Sequence, residues 1–237
     1  MKAFILAAGH GTRLRPLTEH TPKCLLPIQG VPLLEIWLEQ CRNSGITDVL
    51  VNAHAHAEQV IGFARRQQSR VRVRVSKEKE LLGSAGTLAT NREFVAEEED
   101  FFVLYGDVLT NVHMLDLRKF HGERKPAAAT LGVYEANDPA RCGVVELDQQ
   151  GTVQSFVEKP GEPKSNLAFT GIMMARQEIF QFIPEKRPAD IGFDLLPKLV
   201  GRMAAMKISG YLRDIGTMEN YQAAQADWPG LSRTASC

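Results

Sequence analysis

The chain has 237 residues, with 28 lysines and arginines balanced by 28 aspartates and glutamates and an apolar fraction of 44%. These values fit a soluble globular protein with one sizeable core and exclude a disordered or collagen-like chain. Balanced charge removes any chain-wide pull toward nucleic acid or anionic membrane, so phosphate affinity has to be local.

The first residues lack a basic segment followed by an apolar core and cleavage site, and no apolar run approaches ~18 residues. The expectation is a cytoplasmic protein that neither crosses a membrane nor binds nucleic acid. Cys24, Cys41, Cys142 and Cys237 are widely spaced and form no Cys-x-x-Cys pair, so they read as free thiols rather than a zinc site or disulfide framework.

In chain order, the apolar run Ile5-Leu6-Ala7-Ala8 predicts a strand over 4–8 buried on both faces, as in parallel α/β sheets. Gly9 and Gly11 then allow a sharp turn and a close backbone approach to a ligand, with peptide N–H groups aimed at phosphate oxygens. Arg13, Arg15 and Lys23 add full positive charges of the kind that pair with phosphates. A dinucleotide fingerprint would need glycine at Leu14, and a Walker loop would need Gly-Lys-Ser/Thr at its end; neither is present.

A helix over 32–43 puts Leu34, Trp37, Leu38 and Cys41 on one stripe, and Gly45 is suited to ending it. A strand over 48–52 and a helix over 57–66 follow. Val71, Val73 and Val75 then alternate with Arg70, Arg72 and Arg74, which makes the basic run of 65–79 one solvated strand face rather than a nucleic-acid site. His54 and His56 stand two apart beside a strand, so their side chains face opposite ways and do not share a metal. Residues 97–100 read as an exposed loop and 101–105 as another apolar strand, completing a βαβ pattern with a parallel sheet. Beyond residue 125 the texture turns to strands over 127–134, 143–147, 153–157 and 169–175. Helices are expected over 190–200 and 217–226, with Thr217 as a cap, and a loose tail after Pro229.

Several strings in this order resemble the sugar-1-phosphate nucleotidylyltransferases. They are Leu6-Ala-Ala-Gly-His-Gly-Thr-Arg-Leu-Arg-Pro-Leu-Thr with Pro22-Lys23-Cys24-Leu25-Leu26-Pro27-Ile28, then Leu82-Gly83-Ser84-Ala85-Gly86-Thr87, Tyr105-Gly106-Asp107 and Cys142-Gly143-Val144-Val145. Phe156-Val157-Glu158-Lys159-Pro160, the run from Asn166 to Gly171 and Asp214-Ile215-Gly216-Thr217 follow. The resemblance covers nearly the whole chain and implies a Rossmann-like α/β fold, a mostly parallel sheet flanked by helices with a small antiparallel sugar-binding subdomain. It implies a single nucleotidyltransferase domain over 1–228 and a tail over 229–237. Within the domain, 1–110 is mainly nucleotide-binding, 111–212 mainly sugar-phosphate-binding, and 213–228 a closing metal motif and helix. The C-terminal left-handed β-helix of several relatives has no counterpart in the sequence.

The resemblance also implies roles. Arg13 and Lys23 become the catalytic cations, Arg13 on the departing pyrophosphate and Lys23 on the nucleotide phosphates. Leu6, Ala8, Gly9, Gly11, Thr12, Gly83, Gly86 and Thr87 become nucleotide contacts. Gly143, Glu158, Lys159, Asn166, Phe169, Thr170 and Gly171 become the sugar-phosphate site. Cys142 borders that site and reads as a small buried hydrophobe rather than a nucleophile. Asp107 and Asp214 become ligands of Mg²⁺; taken alone, Asp107 would also suit a turn and Asp214 a helix entry.

The 82–88 loop is closer to the Leu-Gly-Thr-Ala-Gly form of mannose-1-phosphate guanylyltransferases than to the glutamine-bearing thymidylyltransferase form, so GTP is the favoured nucleotide. The partners implied are an NTP and a sugar 1-phosphate of mannose or manno-heptose type. A thymidylyl- or uridylyltransferase acting on glucose 1-phosphate is the enzymatic alternative, and a non-catalytic nucleotide-sugar-binding regulator the alternative of another class. Homo-oligomerisation is left open.

Overall fold

From the N-terminus the elements are β1 (Lys2–Leu6), β2 (Pro27–Ile28), β3 (Val31–Pro32), α1 (Leu33–Asn43), β4 (Asp48–Ala53), α2 (Ala57–Gln67) and β5 (Arg72–Lys77). Next come α3 (Ser84–Thr90), β6 (Asp100–Tyr105), β7 (Val108–Thr110), α4 (Met114–Glu123), β8 (Ala129–Glu135), β9 (Gly143–Leu147), β10 (Val153–Glu158) and β11 (Leu167–Arg176). The chain closes with β12 (Met203–Lys207), β13 (Leu212–Asp214) and α5 (Met218–Asp227). The computed structural model describes residues 1–67, 71–124 and 127–231. Arg70 and Cys237, used in the sequence reading, lie outside the described residues, as does the end of the expected tail.

Chain contacts define two compact units, Met1–Leu81 with Leu104–His113 and Gly210–Cys237, and Leu82–Val103 with Met114–Ser209. In the first unit β1, β4 and β5 run parallel, with Ile5 opposite Val51 and Val51 opposite Val75. β4 is buried along its whole length, as a strand covered on both faces should be. α1 buries Leu34, Trp37, Leu38 and Cys41, the stripe read from the sequence, and Gly45 follows it at φ +72°. β1 stops two residues short of expectation because the Ala7 N–H donates instead to Asn52 Oδ1, at 2.6 Å.

Two smaller pairings complete that unit. β13 runs antiparallel to β7 with Asp214 opposite Val108, which carries a distant stretch of sequence beside Asp107. The β2–β3 hairpin is gripped by α5: Tyr221 Oη and Gln225 Nε2 both donate to the Pro27 carbonyl, at 2.8 and 2.6 Å. The Gln29 N–H returns a bond to Gln225 Oε1 at 2.8 Å.

The second unit holds a sheet in the order β10–β9–β11–β8–β12, antiparallel except for β12 beside β8. A bulge between Phe169 and Met173 admits Gly171 at φ +78°. Three expectations change here. Residues 190–200 form no α-helix but a π-helical turn, Ile191–Leu195, then a 3₁₀ turn, Leu196–Leu199. Pro197 cannot donate to a helix ladder, and Asp190 Oδ1 takes the Gly192 and Phe193 N–H groups at 2.8 and 3.1 Å. The stretch read as the 82–88 loop instead enters α3 at Ser84. Asp100 is not in an exposed loop: it begins β6, with Oδ1 2.9 Å from Arg176 Nε and 3.2 Å from the buried His121 Nε2.

Candidate active site

In the first unit, β1 delivers the chain into a turn lining a cleft of about 360 Å³, with Leu6, Gly9, Gly11, Thr12, Arg13, Lys23 and Asp107 on its wall. Ala8 is buried beneath the turn and does not line it. The two glycines do different work. Gly11 sits at φ +63°, where a Cβ would come 2.9 Å from Thr18 Cγ2, so the turn itself requires it. At Gly9 a Cβ would meet nothing within 4 Å, so Gly9 leaves room for something else. The turn is braced from below: Thr18 Oγ1 donates to the Gly11 carbonyl at 2.8 Å, and Asn52, which receives the Ala7 N–H, donates to Glu78 Oε1 at 2.9 Å. Thr18 entered the sequence reading only as the last residue of the opening signature, with no role, and Asn52 and Glu78 escaped it, since only the placement of Asn52 at the carboxyl end of an apolar strand hints at such a role.

Opposite charges converge on this cleft. Lys23 Nζ donates to Asp107 Oδ2 at 2.9 Å, with its side chain 10% exposed. The Lys23 ammonium and the Asp107 carboxylate are thus paired across the cleft wall. The Gly106 N–H donates to the Leu6 carbonyl at 2.9 Å, and the Ile215 N–H to the Asp107 carbonyl at 2.8 Å, so backbone bonds tie both acidic segments to the turn. A Cβ on Gly216 would stand 2.3 Å from Asp214 Oδ1 and 2.9 Å from Arg13 Nη2, which shows how closely Asp214 and Arg13 approach one spot on the cleft wall. Thr217 caps α5 as expected, its Oγ1 accepting the Asn220 N–H at 3.2 Å.

Desolvation, then the charge of Asp107, push the Asp214 carboxyl above the ordinary carboxylate range, while Lys23 and Arg13 pull it back. The residue still keeps an exposed side, so the repulsion between the two carboxylates is the firmer of the two causes. Two carboxylates that repel each other beside a phosphate-sized cleft suit a hard divalent cation. Mg²⁺ takes one or two protein carboxylates and completes its shell with phosphate oxygens and water. Among the described residues no three His, Cys, Asp or Glu side chains gather as a metal cage, so a zinc-type set is not on offer. Cys24 also borders the cleft, but burial pushes its thiol up to about 12, which leaves it no thiolate to act as nucleophile.

The second unit carries the other expected residues. Glu158 ends β10 with its carboxylate over two glycines: a Cβ on Gly143 would lie 2.7 Å from Oε2, and one on Gly192 would lie 2.4 Å from it. Gly192 was not foreseen. Burial pushes the Glu158 carboxyl upward; Lys159 opposes the shift and Asp190 adds to it. Lys159 adopts φ +50°, uncommon for a residue with a Cβ, and its N–H donates to the Cys142 carbonyl at 2.9 Å. Its ammonium lies 3.8 Å from Glu158 Oε1 and stays more than half exposed.

The remaining expected contacts have these surroundings in the second unit. Thr170 is buried and donates its hydroxyl to the Gly132 carbonyl at 2.8 Å. Asn166 is exposed, with its carbonyl accepting the Ala136 N–H at 2.8 Å, and Phe169 packs edge-on to Phe156. Thr87 is fully buried within α3. Gly83 and Gly86 serve close packing: the Ala85 and Gly86 N–H groups both donate to the Ala189 carbonyl at 3.0 Å, and a Cβ on Gly83 would fall 2.3 Å from that oxygen. Ser84 Oγ extends the seam, donating to Asp190 Oδ2 at 2.9 Å and accepting the Ile191 N–H at 2.7 Å.

A family model described as nucleotidyl transferase matches residues 2–229. The chain belongs to that family. It is similar to mannose-1-phosphate guanyltransferase beta-A of Xenopus laevis, 34% identical over 227 residues, covering 93% of this chain and 62% of that protein. A mannose-1-phosphate guanyltransferase of Schizosaccharomyces pombe is 32% identical over 228 residues, with the same coverage. The chain thus spans about 62% of the length of these curated relatives. Among solved structures it is similar to HddC from Yersinia pseudotuberculosis complexed with GMP-PN, with a TM-score of 0.79 and 26% identity over 95% of this chain and 98% of that one. The Rossmann-like α/β class implied by the sequence is the fold of this nucleotidyl transferase. Among the described residues no helix is long and apolar enough to cross a membrane.

Proposed function

We propose that the protein transfers a nucleotidyl group from an NTP, with GTP favoured, to a sugar 1-phosphate of mannose or manno-heptose type, forming a nucleotide sugar and pyrophosphate. One observation carries the reading: the opening glycine turn, Arg13, Lys23 and Asp107 line one cleft and Asp214 stands beside its Gly216 wall, although they come from the first, middle and last parts of the chain. The relatives named as mannose-1-phosphate guanyltransferases support the choice of nucleotide and sugar.

In this reading an oxygen of the sugar phosphate attacks the α-phosphorus in line; a new P–O bond forms as the bond to the β-phosphate bridge breaks, and pyrophosphate departs. No enzyme nucleophile is required. The turn around Gly9 and Gly11 admits the triphosphate, and Arg13 meets the charge that grows on the departing pyrophosphate. Asp107 and Asp214 would hold Mg²⁺, which when bound neutralises phosphate oxygens and orients them. Lys23 passes from its Asp107 partner to the nucleotide phosphates as they enter. In the second unit Lys159 meets the sugar's phosphate and Glu158 accepts its hydroxyl hydrogen bonds. Positioning two anions against their repulsion is the main catalytic task.

Pyrophosphate release measured across four NTPs and several hexose and heptose 1-phosphates tests the assignment. The expected maximum is GTP with a manno-configured substrate. Preference for dTTP or UTP with glucose 1-phosphate would replace that substrate assignment, and no release with any pair would leave binding without catalysis.

A further inference from the structure

Phe193 is the most exposed large hydrophobic side chain among the described residues, at 58%; the other five are aliphatic and range from 36 to 47%. Single exposed apolar residues are ordinary on a protein surface. The setting of this one is not. It belongs to a π-helical turn, a geometry that recurs at functional positions. Its N–H donates to Asp190 Oδ1 at 3.1 Å, which anchors the backbone beneath the exposed ring. Its chain neighbour Gly192 is where the Glu158 carboxylate rests. The ring centroid lies 5.9 Å from Lys159 Nζ, within cation–π range.

A carboxylate, an ammonium and an exposed aromatic face are thus grouped within one unit. Each matches a different part of a sugar phosphate. A carboxylate accepts bonds from hydroxyls, an ammonium pairs with phosphate, and the electron-rich face of an aromatic ring suits the C–H face of a pyranose. Inorganic phosphate would satisfy only the ammonium. Resting on the functional reading above, we propose that Phe193 is a specificity-determining residue of this chain, stacking on the C–H face of the sugar and selecting a hexose 1-phosphate over bare phosphate.

The test compares the 237-residue chain with its Phe193→Ala and Phe193→Trp variants. Steady-state kinetics with mannose 1-phosphate and with glucose 1-phosphate are run beside inhibition by inorganic phosphate. Phe193→Ala should raise the KM for the hexose 1-phosphate roughly tenfold, the scale of one lost aromatic contact, with NTP KM and phosphate inhibition as in the parent. Phe193→Trp should restore the KM. Its emission, read against the parent carrying Trp37 and Trp228, should change on adding hexose 1-phosphate without nucleotide and stay constant with inorganic phosphate. A parental hexose 1-phosphate KM in Phe193→Ala overturns the proposal, and so does an equal loss of affinity for NTP, which a folding defect would produce. Failure of the parent to release pyrophosphate with any hexose 1-phosphate sinks the functional reading itself, a result distinguishable from either, and the proposal with it.

Discussion

In the first unit's cleft two carboxylates and two cations crowd a glycine turn, and the Lys23–Asp107 pair closes at 2.9 Å. In the second unit a single carboxylate rests on Gly143 and Gly192, and its cation stands 3.8 Å off and largely in solvent. The first arrangement is interdependent, because each charge is placed against another. The second is graded, because the carboxylate, ammonium and aromatic ring recognise separate parts of a ligand and one can be lost without disarming the rest. That contrast predicts steep losses from the cleft and modest, substrate-selective losses from the Glu158–Lys159 group.

The steepest should come from Asp107→Asn, which is expected to cost about 10³-fold or more in Mg²⁺-dependent pyrophosphate release, the scale of several kcal/mol of metal-derived stabilisation. An unchanged thermal midpoint would separate this from unfolding, and near-parental turnover would remove the metal assignment. Arg13→Ala should lower kcat roughly 10²-fold. A change confined to KM would make Arg13 a uniform binding contact instead. Gly216→Ala tests interdependence without touching a charge: its Cβ has to displace Asp214 or Arg13, so activity should fall roughly tenfold or more and the Mg²⁺ requirement should rise. Insensitivity would show that the two side chains move aside freely.

Across the comparison, Lys159→Ala should raise the sugar 1-phosphate KM about tenfold, as expected for one charge-assisted contact, with little effect on the NTP. Loss of NTP affinity instead would misplace Lys159. The smallest effect belongs to a pair outside both regions. Arg72 holds the Asp48 carboxyl at about 2, below its ordinary 3.8, through bonds of 2.7 Å to each oxygen. A depressed carboxylate stabilises the fold above its unfolded value, and the contribution is lost as pH falls from about 4 toward 2. Thermal midpoints of the parent and Asp48→Asn should therefore converge across that window; a constant difference would discount the pair.

Much of the architecture was legible because it depends on local pattern. The Val/Arg alternation gave β5, the apolar stripe gave α1, and Gly45 marked where that helix ends. The cleft was legible through residue type: glycines, cations and acids tied to a known family signature. What escaped was set by contacts remote in sequence. Thr87 looked polar and available, yet α3 buries it. Thr170 donates its hydroxyl to the Gly132 carbonyl across the sheet, a bond that residue type does not announce. The 190–200 helix failed because Asp190 captured the next N–H groups and Pro197 withheld one, a competition that periodicity does not register. Asn52, Glu78 and Gly192 carry no spacing signal, since their roles arise only once strands place them beside the turn and beside Glu158.

The grip of α5 on the Pro27 carbonyl has a practical corollary for anyone trimming the protein. Cutting the chain after Thr217 would spare every residue assigned to chemistry, yet strip the backstop from the hairpin immediately downstream of the Lys23 turn. Such a truncated variant should lose its hold on the triphosphate well before it loses its shape, which nucleotide titration beside a thermal melt would show.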